Sequence, residues 1–356
     1  MKFAVESGLW ALGSDVDAPP EVAVLEVSGA ILAWTIHDPA PAVRITFTDL
    51  AAADWLWRLV GEAGHVAVLA AAETAAEAGD EADLTEVRLR PEPVAALRRL
   101  AVGHWLRRWW PASVRDGITP LDAAVLDAEV ALSTAALEDY FSQDTLDSDI
   151  AGLLGPHRRA LPGLAAAGDP RVLDVIRSCV TLADETGLGD WSEVLAAQGQ
   201  PRQDDYALAA GPPGATDDGA IASGVASVSW TAVPPRIFDA AERTIDWSVR
   251  ARDGAVVADI RVAAIGPADG IPVRLDSGSI AGDGTLDIDG NATLPLPVTE
   301  TQAWGHDWAG TNVTVGAGTG ETEAVRGRVR RYVRARLSVP GPDAFLAEVL
   351  AAEADY

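Results

Sequence analysis

The sequence predicts an α+β protein in which an N-terminal small sheet and a helical region precede an antiparallel, sandwich-like β-rich domain ending in two helices. Runs of β-branched and aromatic residues at both ends of the chain flank a middle where apolar residues recur at the helical period. A polar segment rich in proline and glycine near position 210 separates the two patterns. We therefore expect a small sheet followed by a helical domain at 1–198, a linker at 199–224, and a β-rich domain with C-terminal helices at 225–356.

Short strands are predicted within the first fifty residues, because three runs rich in β-branched or aromatic residues are separated by proline, glycine or aspartate. These strands are expected at 22–27, 31–36 and 43–47. Thr48 and Asp49 form a helix-capping pair, which predicts a helix over 50–60. A further strand is expected at 65–72, followed by a solvated acidic connection at 73–86.

From Pro91 onward the apolar spacing becomes helical. The first helix is predicted from Glu92 to Trp110, because Pro111 stops it. A second helix starts after Pro120. Further helices are expected at 146–154, 170–186 and 190–198, the last two each after an aspartate that can serve as N-cap.

Beyond the linker, β-type runs recur at short spacing between glycine- and aspartate-rich turns, which is typical of an antiparallel sheet or sandwich. The strands are expected at 225–231, 244–251, 255–263, 271–275, 284–288 and 312–315. Helices at 321–337 and 343–353 complete the chain.

Charge restricts the class of partner. The 356 residues carry 53 acids and 27 bases, a formal net charge of −26. Clustered Lys and Arg supply most of the affinity for phosphates, so this balance disfavours general nucleic-acid binding. It favours solubility and a partner with a basic surface. We expect protein partners.

Compartment and chemistry follow from what the sequence lacks. A single cysteine, Cys179, excludes an internal disulfide framework and a multi-cysteine zinc site within a monomer. Glu6 stands where a signal peptide would have its apolar core, and no apolar run reaches the length of a membrane span. The histidines lack the close spacing of metal ligands. We expect a cytoplasmic protein without membrane segment, cofactor, metal ligand or identifiable catalytic residue.

The residues 98–113 concentrate four arginines, three tryptophans and a histidine in an acidic protein. Such a surface could stack on bases or hold an acidic peptide through cation–π and bidentate contacts. Alternatively, the tryptophans fill the core and the arginines pair with local acids. The candidate partner-binding residues here are Arg98, Arg99, His104, Trp105, Arg107, Arg108, Trp109 and Trp110.

A second basic surface is predicted on the helix at 321–337. Arg326, Arg330 and Arg334 share one face at i, i+4 and i+8, which could bind an anionic partner or could be solvated and neutralised by the protein's own acids. The glycine-rich run at 313–321 has the order of a phosphate cradle but lacks the Lys-Ser/Thr ending, so a turn is favoured.

A resemblance is carried by the Trp-rich segment and the sequence DGITPLDAAVLDAE that follows it at 116–129. This stretch of about thirty residues resembles uncharacterised actinobacterial proteins of conflict-type systems built around a MoxR-like ATPase and a von Willebrand A protein. The resemblance implies an accessory or adaptor component of an assembly with a role in antiviral defence. It carries over no catalytic residue.

The function hypothesis is a non-enzymatic protein-interaction or adaptor component. One alternative is a metal-dependent hydrolase whose site is assembled from distant carboxylates, which a single sequence can hide. Another is a nucleic-acid sensor that uses the arginine and tryptophan surface. The partner's identity and the oligomeric state stay open.

Overall fold

Helices and antiparallel sheets are both present in the computed structural model, which describes residues 1–38, 42–78, 82–138, 146–189, 191, 194, 219–317 and 320–354. An N-terminal sheet is followed by helices, C-terminal sheets and two helices, which confirms the predicted α+β class. The chain forms two compact units. Unit 1 contains the described residues of Met1–Arg108, Leu121–Gln203 and Arg334–Tyr356, and unit 2 those of Trp109–Pro120 and Asp204–Val333.

The N-terminal sheet has six strands, all paired antiparallel, in the order β3-β4-β5-β2-β1-β6. They are β1 (Lys2–Glu6), β2 (Leu9–Leu12), β3 (Val22–Val27), β4 (Ala30–Thr35), β5 (Arg44–Phe47) and β6 (Ala82–Asp83). The three predicted strands are β3, β4 and β5. The sequence reading missed β1 and β2, whose Phe3 and Trp10 stack with ring centroids 5.0 Å apart on the core side.

The expectations for residues 50–72 were wrong in part. Asp49 caps only a short 3-10 turn, Leu50–Ala52, and the helix proper is α1 (Leu56–Ala78), interrupted at Gly61 by a backbone φ of +76°. The connection predicted at 73–86 contains the end of α1 and β6, and the predicted strand at 65–72 is part of α1. This stretch is rich in alanine, the strongest helix former, and Val68 and Ala72 are buried one helical turn apart.

The helical region of unit 1 follows the predicted period. It comprises α2 (Pro91–Trp109), α3 (Ala123–Ala135), α4 (Leu146–Leu154), α5 (Leu161–Ala167) and α6 (Pro170–Glu185). Asp122 caps α3 by accepting hydrogen bonds from the amides of Ala124 and Val125, at 2.9 and 3.0 Å. Apart from residues 191 and 194, the helix predicted at 190–198 lies outside the described residues.

Unit 2 contains two antiparallel sheets, ordered β12-β9-β8-β7 and β11-β10-β13. The strands are β7 (Ala222–Ala226), β8 (Ile245–Arg252), β9 (Ala255–Val262), β10 (Pro272–Ser277), β11 (Ile280–Thr285), β12 (Asn291–Leu296) and β13 (Asn312–Val315). Both sheets contribute alternate residues to one core, for example Val249 and Ile260 from one and Leu275 and Val313 from the other. The strand expected at 284–288 was misplaced, because β11 begins at Ile280 and ends at Thr285. The edge strand β12, which tolerates Pro295, was not predicted.

Of the linker predicted at 199–224, residues 199–218 lie outside the described residues. Its last residues belong to β7, so the strand expected at 225–231 begins at Ala222 and ends at Ala226. Residues 109–120 belong to unit 2, where the Ser113 hydroxyl donates to Asp239 Oδ1 at 2.6 Å.

One helix lies between β12 and β13, and two more follow β13. They are α7 (Glu300–Gly305), which was not predicted, and α8 (Glu323–Ser338) and α9 (Leu346–Ala354), which were. The residues of α8 up to Val333 belong to unit 2, whereas α9 belongs to unit 1 and packs on α3. Among the helices in the described part of the chain, none combines the length and the apolar character needed to cross a membrane.

Candidate interaction sites

Two of the three tryptophans of the segment 98–113 serve as packing residues. Trp105 on α2 is 2% exposed, and its indole N–H donates to the backbone oxygen of Pro20 at 2.7 Å within unit 1. Trp110 is partly buried, and its indole N–H donates to the Thr119 oxygen at 2.9 Å within unit 2. The Trp105 ring is therefore closed to a nucleic-acid base or a peptide.

Arg98 and Arg99 on α2 contact α3 and the residues just before α9. Arg99 donates to Ser133 Oγ at 3.0 Å and to Glu129 Oε1 at 3.4 Å, and its guanidinium lies 4.2 Å from the centre of the Phe345 ring. Arg98 Nη1 lies 3.6 Å from Asp343 Oδ2. Burial raises the pKa of Glu129 despite the hydrogen bonds it accepts and the charge of Arg99. These contacts give both arginines a role within unit 1.

Two further candidate residues, His104 and Arg107, belong to a cluster of a histidine and a carboxylate. Asp127, buried on α3, accepts from Arg107 Nε at 2.7 Å and lies 2.8 Å from His157 Nε2. Arg107 Nη1 is 3.5 Å from His104 Nδ1. An aspartate that orients a histidine is one element of general acid–base catalysis. Asp127 also neutralises Arg107, and in this structural role the cluster joins α2, α3 and the turn at His157.

Two of the three arginines predicted to share a face of α8 are buried and paired with the protein's own acids. Arg326 and Arg330 are each 7% exposed, on the same side as the buried Val329 and Val333, whereas Arg334 is exposed. A buried arginine requires a paired negative charge. The carboxylate that pairs with both arginines lies more than eighty residues earlier in the chain, so the residue spacing within α8 does not reveal it.

That carboxylate is Glu242. Arg326 donates to both of its oxygens at 2.8 Å, and Arg330 donates to it at 2.7 Å and to the Ala240 oxygen at 2.8 Å. Burial alone would raise the pKa of Glu242, but the hydrogen bonds from Arg326, Ser227 and Arg330 lower it to about 2. The guanidinium of Arg330 also lies 5.6 Å from the centre of the Trp230 ring.

Glu321 fills a group of converging donors that we call the carboxylate nest, formed by Ser229, Trp230 and Thr231. Its oxygens accept from the amides of Trp230 (2.8 Å) and Thr231 (3.0 Å) and from the hydroxyls of Ser229 (3.1 Å) and Thr231 (2.8 Å). Arg326 Nη1 adds a contact of 3.2 Å. Burial opposes these hydrogen bonds, yet the pKa of Glu321 is lowered.

The glycine-rich run before Glu321 is shaped by close packing. A Cβ on Gly320 would lie 2.4 Å from Ser229 Oγ, and one on Gly316, at a φ of +83°, would lie 2.0 Å from the Ala232 oxygen. Residue 318 and residue 319 lie outside the described residues. A glycine at 320 therefore allows the close approach to Ser229 of the nest, and a glycine at 316 allows the close approach to Ala232.

Ser277 and His306 form a hydrogen-bonded pair in unit 2, with Ser277 Oγ 2.9 Å from His306 Nε2. His306 also stands edge-on to Trp308, with ring centroids 4.6 Å apart, and Asp307 accepts from the amide of Ala309 as the cap of a short turn. A serine–histidine pair can act in acyl transfer only if substrate reaches the hydroxyl. Ser277 is 1% exposed, so the pair is closed to a substrate carbonyl.

A shallow cleft in unit 2 is lined by two aspartates, two threonines, an asparagine and two apolar residues, without a histidine. One of these aspartates, Asp287, accepts from the amides of Asp289 and Asn291 at 3.0 and 2.8 Å, and the bonds from Asn291 lower its pKa. Within the described ranges, no three His, Cys, Asp or Glu side chains are grouped as they would be around a metal ion.

Two tryptophans are exposed. Trp304 on α7 is 59% exposed, and its indole N–H lies 3.4 Å from Glu300 Oε1. Trp57 on α1 is 40% exposed, with the Arg58 guanidinium 5.1 Å from its ring centre. An exposed indole is the type of side chain that contributes most per residue to protein interfaces.

No protein-family model, no curated protein and no solved structure matches this chain. The suggested link to conflict-type systems therefore stays a prediction.

Sequence reasoning missed the acids that matter most. Asp127, Glu129, Glu242 and Glu321 each neutralise an arginine of the candidate list, yet the sequence, with 53 acids, offers no spacing that singles them out. Trp304 lies on α7, which was not predicted, so no sequence signal indicated its exposure.

Proposed function

We propose that the chain is a non-enzymatic protein-interaction or adaptor component of a cytoplasmic multi-protein system, with the defence role that its resemblance to conflict-type proteins implies. The observation that supports the proposal most is the exposed indole of Trp304 on unit 2. Tryptophan is enriched at interface hot spots, and a partner that covers this large apolar ring would gain the free energy of removing it from water.

Charge supports a basic partner. The net charge is −26, and Arg99, Arg107, Arg326 and Arg330 are each engaged by a carboxylate of the same unit. Their positive charge is thereby neutralised locally, which weakens the nucleic-acid sensor alternative because that reading depends on a continuous basic face. Steering by the acidic surface favours partners that present arginine or lysine.

Three of the partner-binding residues predicted from the sequence are at least partly exposed. Arg334 is exposed, and Arg108 and Trp109 are partly buried at the end of α2. They are candidates for secondary partner contacts.

Affinity purification from the source organism tests the proposal. The tagged chain is compared with Trp304→Ala and with Trp57→Ala, a matched change at the other exposed tryptophan. We expect the wild type and Trp57→Ala to retain a stoichiometric partner, and Trp304→Ala to lose most of it. Purification of the wild-type chain without any stoichiometric partner would contradict the proposal.

A further inference from the structure

Trp304 lies on a short helix that is capped at its start and packed into the core of unit 2. Thr299 and Gln302 form a reciprocal capping box at the start of α7, and Ala303 is completely buried in the core of unit 2. Glu300 and Trp304 are one helical turn apart, and the indole N–H points at the carboxylate. Both exposed side chains are therefore presented on a fixed element, which lowers the entropic cost of binding.

Trp304 differs from the other tryptophans in its environment. The buried ones are Trp34, Trp55, Trp105, Trp191, Trp230, Trp247 and Trp308. The acid in contact with Trp304 is the exposed Glu300, whose Oε1 lies 3.4 Å from the indole nitrogen. An indole beside a carboxylate attracts a cation to its ring face and repels an acidic ligand.

The chain itself shows which cation suits this combination. In unit 2, the Arg330 guanidinium lies 5.6 Å from the Trp230 ring and donates to Glu242 at 2.7 Å. In unit 1, Arg99 lies 4.2 Å from the Phe345 ring and donates to Glu129. In both places one guanidinium is held by an aromatic face and a carboxylate together. A planar guanidinium can stack and hydrogen-bond at once, which a lysine ammonium does less well.

We infer that Trp304 and Glu300 form a receptor for an arginine side chain of a partner's flexible segment. The guanidinium stacks on the outer face of the indole and donates hydrogen bonds to the Glu300 carboxylate. This inference rests on the proposed function and names the chemistry of the partner at that site.

The test uses the full chain labelled with ¹⁵N and a short peptide of alternating glycine and arginine, acetylated and amidated at its ends. The chain has 12 tryptophans, and the indole N–H signals of Trp304 and Trp57 are those missing from the Trp304→Phe and Trp57→Phe spectra. We expect the arginine peptide to shift the Trp304 signal saturably and to leave the Trp57 signal in place. A peptide with citrulline, the neutral isostere, should produce no shift.

Two variants measure the contribution of each side chain. Trp304→Ala and Glu300→Gln should each weaken binding of the arginine peptide about two- to fivefold, as expected for an exposed cation–π or ion-pair contact. Trp57→Ala should bind like the wild type. Equal binding by all four proteins, or equal binding of the citrulline peptide, overturns the inference, because attraction to the overall charge would then account for it.

Failure of the inference differs from failure of the proposed function. If a partner co-purifies with the chain and the Trp304 signal does not respond to the arginine peptide, the arginine receptor is wrong while the interaction role stands. If the peptide binds at Trp304 and no partner co-purifies, the adaptor role is wrong.

Discussion

Replacing Glu321 by glutamine removes the negative charge at the centre of the carboxylate nest. The Glu321 side chain is 2% exposed, and both of its oxygens accept hydrogen bonds. A glutamine amide keeps one acceptor oxygen and places an NH₂ group where the other oxygen was. That group then faces either the Trp230 amide or the Thr231 amide, so at least one buried donor loses its acceptor.

The expected magnitude follows from these contacts. A buried donor without an acceptor costs about 1–3 kcal/mol, and a hydrogen bond to a charged group contributes about 1.5–3 kcal/mol. Arg326 keeps both of its bonds to Glu242, which limits the loss. We therefore expect the free energy of unfolding of unit 2 to fall by about 3–5 kcal/mol, the range found when one partner of a buried ion pair is removed.

Urea unfolding followed by near-ultraviolet circular dichroism measures this loss, with Glu323→Gln as the matched control at an exposed glutamate in the first turn of α8. The midpoint for Glu321→Gln should fall by about 1–3 M at the slopes typical of domains this size. The control should stay within about 0.5 kcal/mol of the wild type. A Glu321→Gln protein as stable as the control would refute the reasoning about the nest.

Three further predictions concern the other buried groups. The pKa of Glu242 is held at about 2, so its contribution to stability is present above about pH 4.5 and is lost as the pH falls towards 2. Glu242→Gln should therefore be less stable than the wild type at about pH 7. In acid unfolding curves, the variant should lose less stability than the wild type between about pH 4.5 and pH 2. Trp105→Ala should lower the stability of unit 1 by about 3–5 kcal/mol in thermal unfolding, because it opens a cavity. Arg107→Glu places a second carboxylate beside Asp127 and should reduce soluble yield and melting temperature, whereas Arg108→Glu should have a clearly smaller effect on both.

Much of the secondary structure could be predicted because local signals were consistent. The strands 22–27 and 312–315 and the helix 146–154 match their predicted bounds, since β-branched runs or helical apolar spacing determine them. The strand expected at 65–72 failed because valines within an alanine-rich run do not specify a strand against a helix that buries every fourth residue.

The candidate surfaces could be predicted less well, for a physical reason. Helical spacing places Arg326 and Arg330 on one face, but it cannot tell whether that face meets water or a distant carboxylate. The choice depends on Glu242, which long-range folding brings to α8. The exposure of Trp304 likewise depends on tertiary packing of a six-residue helix that carries little periodic signal.

Oxidative footprinting of the chain in its purified partner complex, compared with the free chain, tests most directly whether Trp304 is the interaction residue. We predict that oxidation of Trp304 falls severalfold in the complex while oxidation of Trp57 stays unchanged. Equal oxidation of Trp304 in the free and the bound chain would contradict the assignment of the partner surface.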